Sequence, residues 1–274
     1  MQGYVCLPLR LLTSLALYKH GLRLMNIELL NGDCLELMKT IPDSSIDLIL
    51  CDLPYGVTRC KWDNIIPLEK LWKLYKRVIK NNGAILLFGT EPFTSFLIMS
   101  NLNEYRQKLT WLKTRPTNVF NAKKQFMNWT EDICVFYRKL PTFNPIMRTD
   151  GLFTCKKIQH TTHKRENGAW GQTGEKEGYI HNGNGGLFYP KSVLEFSNVY
   201  KKGTSTHPTQ KPVALLEYLI KTYSSPGDTI LDNCMGSGST GVACINTGRN
   251  FIGIELDNDY FNIASQRIND AQKQ

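Results

Sequence analysis

The chain has 274 residues, 42% hydrophobic and 21% charged, with a formal net charge of +9. That length can bury one large core, and the ordinary composition excludes a disordered, collagen-like or disulfide-stapled chain. The eight cysteines contain no Cys-x-x-Cys pair and read as reduced, partly buried thiols of an intracellular protein.

The first 24 residues are mildly apolar at 7–17 but interrupted by Arg10, too short to span a membrane and without the flanks of a signal peptide. Met25 directly precedes the first strand pattern, so residues 1–24 are expected to form an extension outside the fold. Seven strands are predicted at 27–30, 46–51, 84–89, 107–113, 132–138, 228–231 and 250–255. The runs 46–51, 84–89 and 250–255 are nearly continuous apolar stretches, as in parallel strands covered on both faces. Helical periodicity falls at 34–40, 67–80, 92–101, 212–224, 238–247 and 258–272. This β-α alternation predicts a doubly wound α/β sheet. Residues 140–205 break the rhythm, with scattered glycines and no long periodic run, and read as an insertion.

The strand 46–51 runs into Asp52-Leu53-Pro54-Tyr55-Gly56. Pro54 holds Leu53 extended, so Asp52 and the Leu53 carbonyl form two close acceptors beside the Tyr55 ring. Two acceptors suit an exocyclic amino group, and an aromatic face suits a base taken out of a duplex. The four residues alone fit a helix cap and a core tyrosine as well. The second motif follows the strand ending at Asp232, where Gly236, Gly238 and Gly241 match G-x-G-x-x-G at a helix start. Glu255 closes the next strand, where an acid commonly accepts ribose hydroxyls. That loop alone fits a nicotinamide cofactor as readily as S-adenosylmethionine. Only 33 residues follow Gly241, so the rest of the sheet must come from the N-terminal half, which implies a permuted fold.

The motifs together resemble the beta-class amino-methyltransferases of DNA, which modify adenine N6 or cytosine N4. In that family D/N/S-x-P-Y precedes the target-recognition region and the cofactor loop comes last. The resemblance covers about residues 25–270 and includes Asn31-Gly32-Asp33-Cys34-Leu35-Glu36, His207-Pro208-Thr209-Gln210-Lys211-Pro212 and Gly253-Ile254-Glu255-Leu256 with Tyr260. The run Thr58-Arg59-Cys60-Lys61-Trp62-Asp63 looks like the phage and mobile-element branch. The resemblance implies a Rossmann-like, seven-stranded, circularly permuted sheet. Residues 25–139 would form the catalytic half, 140–205 the target-recognition insertion and 206–274 the S-adenosylmethionine-binding half.

It also implies residue roles. Asp52 and the Leu53 carbonyl would bind the target amino group, Pro54 would shape the turn and Tyr55 would stack on the base. Asp at position 52 resembles the adenine-N6 enzymes more than the cytosine-N4 ones. Asp232, Gly236, Ser237, Gly238 and Thr240 would line the methionine and ribose of the cofactor. Glu255 would hold the ribose hydroxyls and Asp33 the adenine edge, while His207 and Lys211 would reach the methionine carboxylate. Double-stranded DNA is the expected partner, a homodimer and a cognate restriction endonuclease are further partners the resemblance allows, and the location is cytoplasmic with no membrane contact.

Charge supports a polyanion partner. Residues 138–211 carry 12 Lys/Arg against 5 Asp/Glu. Lys156, Lys157, Lys164, Arg165, Lys201 and Lys202 are candidate phosphate contacts, with Arg115, Lys123 and Lys124 extending the surface. His160 and His163 lack a completing cluster, so no metal is expected. Three competitors stay open. A nucleotide-dependent oxidoreductase explains the glycine loop but not the Asp52 turn. A protein-glutamine or RNA methyltransferase shares the turn in the opposite motif order. A non-catalytic DNA-binding module explains only the charge.

Overall fold

Nine strands form one mixed sheet among the residues that the structure, a computed structural model, describes: 10–17, 24–56, 65–149, 187–198 and 210–273. They are β1 (Arg10–Leu17), β2 (Leu24–Asn31), β3 (Ile46–Cys51), β4 (Ile79–Gly89), β5 (Tyr105–Thr117), β6 (Asn128–Phe136), β7 (Val193–Phe196), β8 (Thr229–Asp232) and β9 (Asn250–Glu255). Their order is β1-β2-β9-β8-β3-β4-β6-β5-β7. The block from β2 to β4 is parallel throughout, and β6 runs antiparallel to both β4 and β5. The seven central strands are those predicted from the sequence, with β1 and β7 added at the edges. Residues Pro145–Lys191 form a compact unit of their own, in which Arg148 and Phe188 exchange backbone hydrogen bonds.

One expectation is corrected here. Part of the segment expected outside the fold, Arg10–Leu17, is an edge strand paired antiparallel with β2. The backbone groups of β2 that face away from β9 need partners, and β1 supplies them.

Side chains alternate across the sheet with period two, so both faces are covered. In β3, Leu48 and Leu50 join a core with Leu215, Leu219, Ala243, Phe261 and Ile268. These belong to the helices α4 (Val213–Tyr223), α5 (Ser239–Thr247) and α6 (Asn258–Gln272). Ile49 and Cys51 point to the opposite core with Leu37, Leu71, Tyr75, Val78 and Leu97, on α1 (Cys34–Leu37), α2 (Leu68–Val78) and α3 (Phe93–Ser100). Leu48, Leu50, Ile49, Leu71 and Leu97 are fully buried, and burying one such side chain contributes about 1.5–3 kcal/mol.

The neighbours β8 and β3 are far apart in sequence, with Leu48 and Ile49 paired to Ile230 and Leu231. From β8 the chain proceeds to β9 on one side, whereas from β3 it proceeds to β4 on the other. The loops therefore diverge at the carboxyl ends of β8 and β3, the place where open α/β sheets form a ligand crevice.

Candidate active site

A cleft of about 970 Å³ opens at that crevice, lined by residues from both motifs, including Asp52, Tyr55, Lys211, Asp232, Gly236 and Glu255. On the β3 side, Asp52 Oδ1 accepts from the Tyr55 hydroxyl at 2.5 Å, and Oδ2 lies 2.5 Å from Lys211 Nζ. Lys211 Nζ is also 2.8 Å from Glu131 Oε1, and Glu131 Oε2 is 3.0 Å from Lys113 Nζ. Two ammonium groups thus alternate with two carboxylates, which satisfies the requirement that buried charges be paired. The Lys113, Glu131 and Lys211 side chains are 8–10% exposed against 27% for Asp52, so the chain of charges opens to solvent at Asp52.

Burial pushes the Asp52 carboxyl up, and the Lys211 charge opposes it. Burial also acts on Glu131, but Lys211 and Lys113 outweigh it and hold that carboxyl below its usual value. Burial alone would lower Lys211; the two carboxylates instead raise it and keep it charged. Tyr55, driven well up by burial and by Asp52, remains a donor at neutral pH, with a second acceptor at Glu131 Oε1, 3.2 Å away. Its ring rests on Phe93, centroid to centroid 5.2 Å. Leu53 buries its side chain to 3% exposure. Cys51, beside Asp52, is pushed up to about 12 by burial and offers no thiolate at neutral pH.

On the β8 side, the turn after Asp232 is anchored from beneath by Tyr75, whose hydroxyl donates to Asn233 Oδ1 at 2.6 Å. Gly236 has φ +49°, and a Cβ there would meet nothing within 4 Å, so its backbone faces open space. Its N–H donates to Glu255 Oε2 at 2.8 Å, and the Asp257 N–H donates to Oε1 at 2.9 Å. A carboxylate has about four lone-pair sites, and with the Leu256 amide also bonded to it Glu255 retains capacity for a further donor. Gly238 has φ +78°, and a Cβ would stand 3.0 Å from Ala264, which is how closely α6 approaches the loop. Arg267 on α6 donates to the Ser237 carbonyl and, at 2.8 Å, to its hydroxyl. Burial pushes the Asp232 carboxyl up to about 6, against the Thr240 hydroxyl and the Cys234 amide. Asp33 caps α1, accepting from the Leu35 N–H at 2.8 Å, and also lines the cleft.

A protein-family model described as DNA methylase matches residues 46–266. The chain belongs to the DNA methylase family. It is 27% identical over 271 residues to the type II methyltransferase M.HinfI of Haemophilus influenzae, covering 89% of this chain and 68% of that one. It is 28% identical over 261 residues to the DNA adenine methyltransferase YhdJ of Escherichia coli K12, covering 89% and 83%. The crystal structure of the M1.HpyAVI–SAM complex shares the fold, with a TM-score of 0.59, 24% identity, and coverage of 89% and 99%. Family membership sets aside the oxidoreductase and the non-catalytic binding module.

Of the methylase residues expected from sequence, Asp33, Asp52, Leu53, Pro54, Tyr55, Lys211, Asp232, Gly236, Ser237, Thr240 and Glu255 line one cleft, and Gly238 packs behind it. Within that cleft Lys211 is a buried ammonium, which requires counter-charges, and Asp52 and Glu131 supply them. His207 and the basic residues Lys156, Lys157, Lys164, Arg165, Lys201 and Lys202 lie outside the described residues, as do His160 and His163.

Glu131 and Lys113 were not foreseen. Lys113 follows Trp111-Leu112 and Glu131 stands between Thr130 and Asp132, so both read as incidental charges. The usable signal was directional: an acid at the amino end of an antiparallel strand reaches the same rim as the carboxyl ends of parallel ones, and β6 delivers Glu131 there.

Proposed function

We propose that this methylase transfers the methyl group of S-adenosylmethionine to N6 of adenine in duplex DNA, with the base rotated out of the stack. The observation that carries the reading is the sharing of one cleft, across the neighbouring strands β3 and β8, by Asp52 with Tyr55 and by Glu255 with the Gly236 turn.

When bound, S-adenosylmethionine supplies an electrophilic methyl group on a sulfonium. The donor set fits it: Glu255 keeps a lone pair for a ribose hydroxyl, Gly236 leaves space, and Asp232 provides an anionic partner for a cation. On the other rim, Asp52 and the Leu53 carbonyl accept the two N–H bonds of the target amino group, localising its lone pair. Lys211 holds the Asp52 carboxylate in position, and Tyr55 offers its ring to the base. Positioning and electrostatics supply the catalysis, with no covalent enzyme intermediate.

The aspartate at position 52 favours adenine over cytosine. Lys156, Lys157, Lys164, Arg165, Lys201 and Lys202 would contact phosphates, giving salt-sensitive affinity. His207 would complete the cofactor site. Cytoplasmic location, self-association as a homodimer and a cognate restriction endonuclease belong to the same proposal. None of the described helices is long and apolar enough to cross a membrane.

The test is methyl transfer from radiolabelled S-adenosylmethionine to unmethylated genomic DNA, with N6-methyladenine and N4-methylcytosine separated by mass. Labelled N6-methyladenine is expected, and Asp52→Ala should bind cofactor without turnover. Label in N4-methylcytosine alone would move the assignment to cytosine, and no label in either base would refute it.

A further inference from the structure

We propose that the hairpin joining β5 and β6 is a wedge that enters duplex DNA beside the target base, with Phe120 and Phe126 filling the space the rotated base leaves. This rests on the duplex-DNA reading above.

Residues 117–130 are exposed throughout. At their tip Phe120 and Phe126 are 104% and 101% exposed, the most exposed large hydrophobic side chains among the described residues. Solitary surface leucines need no explanation, but two wholly uncovered aromatics on one short loop mark a surface that something covers. The tip is not a slack loop. Asn118 takes the left-handed conformation at φ 67° and accepts from the Asn121 side chain at 2.6 Å. The Asn121 carbonyl then accepts from the amides of Lys124 and Gln125, at 2.8 and 3.0 Å. A hydrogen-bonded turn therefore holds the two rings out.

Placement and charge identify the partner. Thr117 and Asn128, paired across the hairpin's base, line the same cleft as Asp52 and Tyr55. The same two strands carry Lys113 and Glu131 into the catalytic charge chain. The tip thus stands at the mouth of the site that would receive the base. From 114 to 130 the sequence holds Arg115, Lys123 and Lys124 and no Asp or Glu, while Lys108 and Lys113 on β5 already pair with Asp132 and Glu131. Apolar rings among cations, without acids, fit a polyanion with an apolar interior. Rotating a base out of a duplex forfeits stacking and pairing, and an inserted phenylalanine offsets the loss.

The test uses the full chain and a duplex bearing the site mapped by the genomic assay. Flipping is read with 2-aminopurine at the target position and catalysis with adenine there. A second duplex places an abasic site opposite the target, so that pairing is already lost. For the Phe120→Ala/Phe126→Ala variant, kcat/KM on the intact duplex is expected to fall about 100-fold and the rise in 2-aminopurine emission to disappear. On the abasic duplex the loss should shrink to about threefold or less. Wild-type turnover and emission by the variant on the intact duplex would overturn the proposal. Equal losses on both duplexes would overturn it too, since the hairpin would then only grip DNA. A wild-type enzyme that methylates neither duplex would instead remove the duplex-DNA reading itself.

Discussion

Lys211 Nζ lies 2.5 Å from Asp52 Oδ2, tying the residue just before Pro212 to a turn 159 positions earlier. The ion pair is buried on the lysine side and half-open on the aspartate side. Lys211→Met leaves Asp52 without its cation. Breaking a fully buried pair costs about 3–5 kcal/mol, and the exposure of Asp52 reduces the expected loss here to about 2–4 kcal/mol in urea denaturation. The Lys211 charge is what opposes the upward push of burial on Asp52. Without it the ionised carboxylate forms only at higher pH, so the acid limb of the kcat profile moves upward.

Glu131→Gln removes the carboxylate shared by Lys211, Lys113 and the Tyr55 hydroxyl while keeping the shape. Single-turnover rates should fall about 10–100-fold, because Asp52 and Tyr55 lose their common brace. Cofactor affinity by calorimetry should stay within about twofold. A change confined to cofactor affinity would contradict this role.

Asp232 supplies a pH prediction. Its carboxyl titrates at about 6 in the folded protein against an ordinary 3.8. Its contribution to stability is therefore greatest below the ordinary value and diminishes as pH rises through about 6. A cationic methyl donor prefers the ionised form. Affinity for S-adenosylmethionine should accordingly increase from pH 5 to 7, falling about tenfold per unit below 6, and Asp232→Asn should flatten the curve.

Two glycines of the loop separate folding from binding. Gly238→Ala drives a Cβ against Ala264 from a left-handed backbone, with an expected loss of about 1–3 kcal/mol in thermal unfolding. Gly236→Ala meets no protein atom, so its cost is the left-handed residue alone, about 1–2 kcal/mol. Its methyl enters the cleft, and cofactor affinity should drop more than stability does.

Much of this was legible in the sequence because parallel strands covered on both faces write themselves as unbroken apolar runs. Ile46–Cys51 and Asn250–Glu255 appear where predicted, and Asp52, Asp232 and Glu255 stand at strand ends because the motifs follow those runs. The edges were harder. Arg10–Leu17 and Val193–Phe196 each pair with one strand only, so neither carries a core pattern strong enough to separate it from the surrounding loop. The buried charges were hardest. Lys113 and Glu131 face each other only after β5 and β6 pair, and no local spacing announces it.

The rim of the cleft at Glu255 is stitched between the first and last parallel strands, β2 and β9. Asn31 Nδ2 and the Gly32 amide both donate to the Glu255 carbonyl, at 2.9 Å each, across 224 positions in the case of Asn31. The Glu255 rim of the cleft therefore cannot form until the two ends of the parallel block have met. Such a late, long-range closure also makes for slow folding.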